Sequence, residues 1–152
     1  PLADYRVSPE DKSNWRKYLF RGFSRCLYDS QKFDSEAERK LAVILERDAV
    51  HWFKPVRGQF PIFYRQGADH LEYQPDFVAE SLDTTYMLEP KASNEMEDPV
   101  VLAKKEAAIK WCQNASDNAA KHGGKPWQYA LIPHTAIADN MTLKALVQQF
   151  GG

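Results

Sequence analysis

Apolar residues recur every four positions at Trp15, Leu19, Phe23 and Leu27, and Ser8 and Pro9 suit a helix start, so residues 8–28 are expected to form a helix. At 35–47, Ser35 is followed three residues later by Glu38 in the capping-box pattern, and Ala37, Leu41, Ile44, Leu45 and Asp48 fall at helical spacing. The aromatic and β-branched runs VHWF at 50–53 and FPIFYR at 60–65, parted by Lys54-Pro55 and Gly58, read as strands, and Gly67-Ala68-Asp69 as a turn. Two more strands are expected over 71–91, around Ser81-Leu82-Asp83-Thr84. A long helix over 98–121 carries Val101, Ala108, Cys112, Ala115 and Ala119 on one stripe and stops at His122-Gly123-Gly124. WQYALIP at 127–133 reads as a strand, and Asn140 as the cap of a last helix bearing Leu143, Leu146, Val147 and Phe150. The order α, α, β, β, β, β, α, β, α predicts an α/β fold, a mixed central sheet with helices on both faces.

With 152 residues, 43% of them hydrophobic, the chain can bury one sizeable core, so a single domain is expected. Apolar runs are only a few residues long and no charged-then-apolar leader is present, which predicts neither a membrane span nor export. Pro1 in place of an initiator methionine predicts a fragment or processed chain. Cys26 and Cys112 show no metal-type spacing and no disulfide framework, so a reducing, cytoplasmic setting is the default. A net charge of −1 argues against gripping nucleic acid by bulk electrostatics alone. The charge is segregated, however. Residues 69–98 hold nine acids against Lys91, while Lys104, Lys105, Lys110, Lys121 and Lys125 follow and Arg16, Lys17, Arg21, Arg25 and Lys32 precede. An acidic centre between basic flanks suits a divalent cation between phosphate-contacting surfaces; ordinary solvated faces are the plainer account.

The stretch YQPDFVAESLDTTYMLEPK, residues 73–91, puts Asp76, Glu89 and Lys91 into segments that otherwise look buried. With a reverse turn centred between Leu82 and Asp83, Asp76 and Glu89 fall directly opposite, on the same sheet face as Lys91, while Pro90 points away. A one-residue slip destroys the cluster. Facing carboxylates repel, so one holds a proton unless positive charge intervenes, from Lys91 or from Mg²⁺, which takes one or two carboxylates with water and phosphate. Such a site hydrolyses phosphodiesters. The rival readings are a structural salt-bridge patch on a wet face, and a metal-independent hydrolase using Asp76 and Glu89 as an acid/base pair, in which Lys91 has no task. Pro90 removes a ladder hydrogen bond and predicts that the strand ends, bulges or lies on an edge there.

Pro75-Asp76 and Glu89-Pro90-Lys91, with twelve residues between the two acids, resemble the PD-(D/E)XK nuclease pattern. SEAERKLAVILE, HWFKP, PIFY, YQPDFVAE, LEPK, KKEAAIKWC and GGKPWQYALIPH together look like the C-terminal endonuclease domain of the restriction subunit of type III restriction-modification enzymes. The resemblance implies a restriction-endonuclease-like fold, an αβββαβ core over 34–152, preceded by an N-terminal helical extension, 1–33, packed on it. It implies a Mg²⁺-dependent DNA endonuclease, with Mn²⁺ able to substitute, in which Asp76, Glu89 and the Pro90 carbonyl hold the metal and Lys91 activates water. Glu38 matches a position where many members carry a further acid for a metal-bound water or second ion; otherwise it completes the capping box with Ser35. Gln74, Lys104 and Lys105 are candidate DNA contacts, and the lone His134 is left outside the site. Because no nucleotide-binding motif is present, the implied partners are DNA, the rest of a larger ATP-dependent helicase-like subunit, and a methyltransferase subunit. The runner-up is a catalytically inactive nuclease-fold module for DNA binding or docking, with Pro90 distorting the site.

Overall fold

Helix α1, Glu36–Asp48, starts at Ser35, whose hydroxyl oxygen accepts the Glu38 amide proton at 3.2 Å, and buries Leu41, Ile44 and Leu45. The side-chain oxygen takes up one of the amides that a helix start leaves without a partner. The structure, a computed structural model, describes residues 1–60 and 62–152. Pro61, inside the strand expected over 60–65, lies outside the described residues.

Strands β4 (His51–Phe53), β7 (Phe77–Glu80), β8 (Thr85–Lys91) and β9 (Trp127–Pro133) form the central sheet in the order β4-β7-β8-β9. β7 is antiparallel to both neighbours, whereas β8 and β9 run parallel and are joined by helix α2, Pro99–Ala120. The α2 start is capped by Asp98, which accepts from the Val100 amide at 2.7 Å, and the helix is followed by Gly123 at φ +71°. Helix α3, Leu143–Phe150, closes the chain. Its cap is Thr142, which accepts from the Ala145 amide at 3.1 Å, and not Asn140 as the spacing suggested. The Asp48 carboxylate takes the Leu143 amide at 2.9 Å and so pins the α3 start beside the end of α1.

Strands β5 (Ile62–Gln66) and β6 (Asp69–Tyr73) form a separate hairpin around Gly67, at φ +64°, inserted between β4 and β7. The single strand expected to run from 71 toward Ser81 is therefore two. Pro75 carries no N–H and cannot continue a ladder, so β6 stays with β5 and the chain resumes in the central sheet at Phe77.

Alternation along the strands divides the core. Phe77, Ala79, Leu88, Ala130 and Ile132 face a cluster with α1 and α3, while Met87, Tyr129 and Leu131 face one built from α2 and the β5–β6 hairpin. The fold is mixed α/β with helices on both faces of the sheet.

The N-terminal segment corrects the sequence reading. Residues 8–28 are not a helix: β1 (Leu2–Asp4), β2 (Leu19–Arg21) and β3 (Ser30–Gln31) form a second small sheet, with a 3₁₀ turn at Trp15–Lys17. The segment does pack on the core, through a different residue set. Phe20 is fully buried against Phe33 at 5.2 Å and Phe23 meets Trp52 edge-on at 5.1 Å, whereas Leu27, assigned to the helical stripe, is 57% exposed. Gly22 at φ +103° turns the chain where a helix would have to continue. Ser8 donates to Glu36 instead of capping a helix.

Both edges of the central sheet are covered. Cys26 bridges Trp52 beside β4, and Gly151 bridges Ala130 beside β9, where the Gly152 N–H reaches the Tyr129 carbonyl at 3.1 Å. A Cβ at Gly151 would lie 2.2 Å from the Gln128 side-chain nitrogen and 2.4 Å from the Val147 carbonyl oxygen. Among the described residues no helix is long and apolar enough to cross a membrane.

Candidate active site

The β7–β8 register pairs Phe77 with Leu88 and Glu80 with Thr85, which centres the turn between Leu82 and Asp83 as the sequence spacing predicts. Carried one step past Phe77, this register faces Asp76 with Glu89; one step further, it faces Pro75 with Pro90. Thr85 gives its N–H to Pro126 on the β9 side at 2.9 Å, so by alternation the even-numbered residues of β8 direct N–H and C=O toward β7. Neither Pro75 nor Pro90 has an N–H to give. The ladder therefore stops without orphaning a donor, and the Pro90 carbonyl is turned toward the place where the acids stand. Pro90 is at home in β8, paired in register with Ile132 of β9, because the bond it cannot make is one that its opposite number cannot make either.

Glu89 is only 4% exposed. Burial raises its pKa to about 8, helped by the charge of Asp76 and opposed by Lys91 and by a hydrogen bond from the Tyr129 hydroxyl to Oε2 at 3.2 Å. Asp76 is raised to about 6, by burial first and then by Glu38, against Lys54 and Lys91. Densely surrounded as it is, Asp76 keeps part of its surface open to solvent, which puts it at the mouth of the site with Glu89 behind it.

Glu38 and Lys54 complete the surroundings. Glu38 lies in the first turn of α1, 7% exposed, and its Oε1 accepts the Asp34 amide at 3.2 Å and the Lys54 ammonium at 2.5 Å. The capping box is thus made from the Ser35 side, while the Glu38 carboxylate reaches one residue beyond the usual return partner. The Lys54 Nζ also sits 4.9 Å above the Phe77 ring and 5.6 Å from that of Phe33. Sequence reasoning passed over Lys54 because in HWFKP it looks like a lysine leaving a strand. Its partner is sixteen residues away, and no local pattern announces the pairing.

Tyr73 and Tyr129 were also missed. The Tyr73 hydroxyl and the Gln74 Oε1 are buried and find no hydrogen-bond partner among the described residues. Tyr73 feels the charges of Glu89 and Asp76, which places this orphaned hydroxyl beside the acids. Lys104, from the first turns of α2, lies 5.4 Å from the Tyr64 ring and 5.9 Å from that of Tyr73, and its charge reaches Glu89. Lys105 is turned instead toward Gly152. His134, left outside the site by the sequence reading, stands at its border: burial lowers its pKa, and Glu38 and Lys91 both act on it. Concavities of about 490 and 410 Å³ lie elsewhere, one at Arg47, Ser81 and Lys144, the other between α2 and β9, touching the acid cluster at Tyr129.

Among the described residues no three His, Cys, Asp or Glu side chains gather as a ready metal cage. The donor set on offer is two carboxylates and the Pro90 carbonyl, with the buried Tyr73 hydroxyl near them. All are oxygen, and two carboxylates plus solvent and substrate oxygens suit a small hard cation such as Mg²⁺ or Mn²⁺. The chain matches no family model, no curated protein and no solved structure.

Proposed function

We propose that this chain is a Mg²⁺-dependent DNA endonuclease module of the type III restriction kind, carried by a larger ATP-driven helicase-like subunit that works with a methyltransferase subunit in the cytoplasm. The observation that carries the reading is the hairpin register, which, continued one step past Phe77 and Leu88, sets Asp76 opposite the buried Glu89 at the end of a covered sheet, with Lys91 two residues on from Glu89. The order of the central-sheet elements supports it: α1, β4, β7, β8, α2 and β9 run αβββαβ, with the β5–β6 hairpin inserted. This is the arrangement expected of a restriction-endonuclease-like fold.

Asp76, Glu89 and the Pro90 carbonyl would hold the metal ion, which neutralises the paired carboxylates and polarises a phosphoryl oxygen. Tyr129 fixes the Glu89 carboxylate through its 3.2 Å hydrogen bond, so the acid meets the substrate in one orientation. Lys91, on the same sheet face, orients the attacking water for in-line displacement at phosphorus, with the leaving oxygen departing opposite. Lys104, whose charge reaches Glu89, is the candidate for a strand-phosphate contact, whereas the Gln74 amide is turned onto the Phe60 carbonyl and Glu72. With a net charge of −1 the isolated module grips DNA weakly and relies on tethering to the rest of its subunit.

A second reading, a nuclease-fold module that only docks or binds DNA, is favoured by one observation: Oε1 of Glu38 is committed to Lys54 and the Asp34 amide. Plasmid incubated with the purified chain and Mg²⁺ or Mn²⁺ decides between them. The endonuclease nicks or linearises the plasmid, EDTA stops it, and Lys91→Ala abolishes it. Equal cleavage by wild type and Lys91→Ala defeats the assignment, and a docking module shows neither cleavage nor Mn²⁺-binding heat that depends on Asp76 and Glu89.

A further inference from the structure

Lys54 is an unusual occupant for its position. Its side chain is only 18% exposed, its ammonium is 2.5 Å from the Glu38 Oε1, and the rings of Phe77 and Phe33 lie within 4.9 and 5.6 Å of it. Asp76 feels the charge of this ammonium, which is held by a carboxylate and two aromatic faces together. The other contact of that carboxylate oxygen is a backbone amide, that of Asp34 at 3.2 Å, which fixes Glu38 independently of Lys54. A carboxylate anchored in this way, and close enough for Asp76 to feel its charge, is where an additional divalent cation would settle if the space were free. An ammonium already fills it, and a dication brought next to that ammonium meets like-charge repulsion in a place with little solvent to screen it.

We infer that the Lys54 ammonium is a built-in cation that takes the place of a second metal ion at Glu38, so that the site at Asp76 and Glu89 admits one divalent cation only. The inference rests on the endonuclease reading of that site and deepens it. Lys54 is a positioning residue: it sets the charge beside Asp76 and Glu38.

Calorimetric titration of the full chain with Mn²⁺, checked by electron paramagnetic resonance of free Mn²⁺, tests it without any turnover. Wild type is expected to bind one ion. Lys54→Met, which keeps the length of the side chain and removes its charge, is expected to bind two, and the double variant Lys54→Met/Glu38→Gln to return to one. Two ions in wild type, or one ion in a folded Lys54→Met, overturns the inference and leaves the endonuclease reading intact. Should Lys54→Met not fold, Glu38→Gln decides: a Glu38 that is not a ligand leaves one ion bound with affinity changed less than about tenfold, or 1.4 kcal/mol, and loss of the ion overturns the inference. No Asp76- and Glu89-dependent binding in wild type overturns the function itself, and the inference with it.

Discussion

Glu89 is almost completely buried and carries a pKa raised to about 8, with Asp76 beside it at about 6. Both lie above the values of about 4 that these groups have in an unfolded chain. Between pH 4 and pH 8 these two groups therefore hold more protons in the folded than in the unfolded state, and their contribution to stability falls as pH rises through that window. His134, whose pKa is lowered by burial, acts in the opposite direction, so the pair is isolated by comparison with a variant. Without metal, wild type should lose on the order of 2 kcal/mol relative to Glu89→Gln between pH 5 and pH 8. Urea melts of the two proteins at both pH values measure this; parallel losses would mean that Glu89 is not held in an apolar setting. At this scale Asp76, Glu89 and Lys91 were legible in the sequence because one short hairpin holds all three, and counting from its turn fixes which face they share. Lys54, Tyr73 and Tyr129 were not, since each acquires its role from a neighbour distant in sequence, and a tyrosine within an apolar strand gives no sign that its hydroxyl will meet an acid.

Helices α1 and α2 read correctly because their termini carry their own chemistry. Ser35 with Glu38 marks the start of α1, and Asp98-Pro99 and Gly123 bracket α2. Replacing Ser35 with Ala removes the hydroxyl that accepts the Glu38 amide and should cost about 1 kcal/mol of stability in a urea titration, with its slope unchanged. The N-terminal residues misled for an equally physical reason. Trp15, Leu19, Phe23 and Leu27 have helical spacing, but large aromatic residues suit strands as well as helices, and what Phe23 packs against is supplied by Phe33 and Trp52 from elsewhere in the chain. The split between β6 and β7 was signalled by Pro75, although its meaning became clear only with Pro90 placed opposite.

At the scale of the molecule, the central sheet is sandwiched by two apolar clusters, and residues 1–33 belong to one of them. Phe20 and Phe33 are fully buried in the cluster that holds α1, α3 and Trp52. Phe20→Ala should therefore cost about 3–5 kcal/mol and lower the midpoint of a single cooperative transition. A separate early transition, with the remainder melting as before, would show that residues 1–33 are only an appendage.

The tail at Gly151 and Gly152 lies along β9 because position 151 has no room for a side chain. These two glycines therefore act as a seal: they occupy hydrogen-bonding groups on the outer strand that would otherwise be offered to any extended peptide, including the same strand of a second molecule. A bulkier residue at 151 would lift the seal, and its cost would appear as self-association at high concentration well before it appeared as a lost fold.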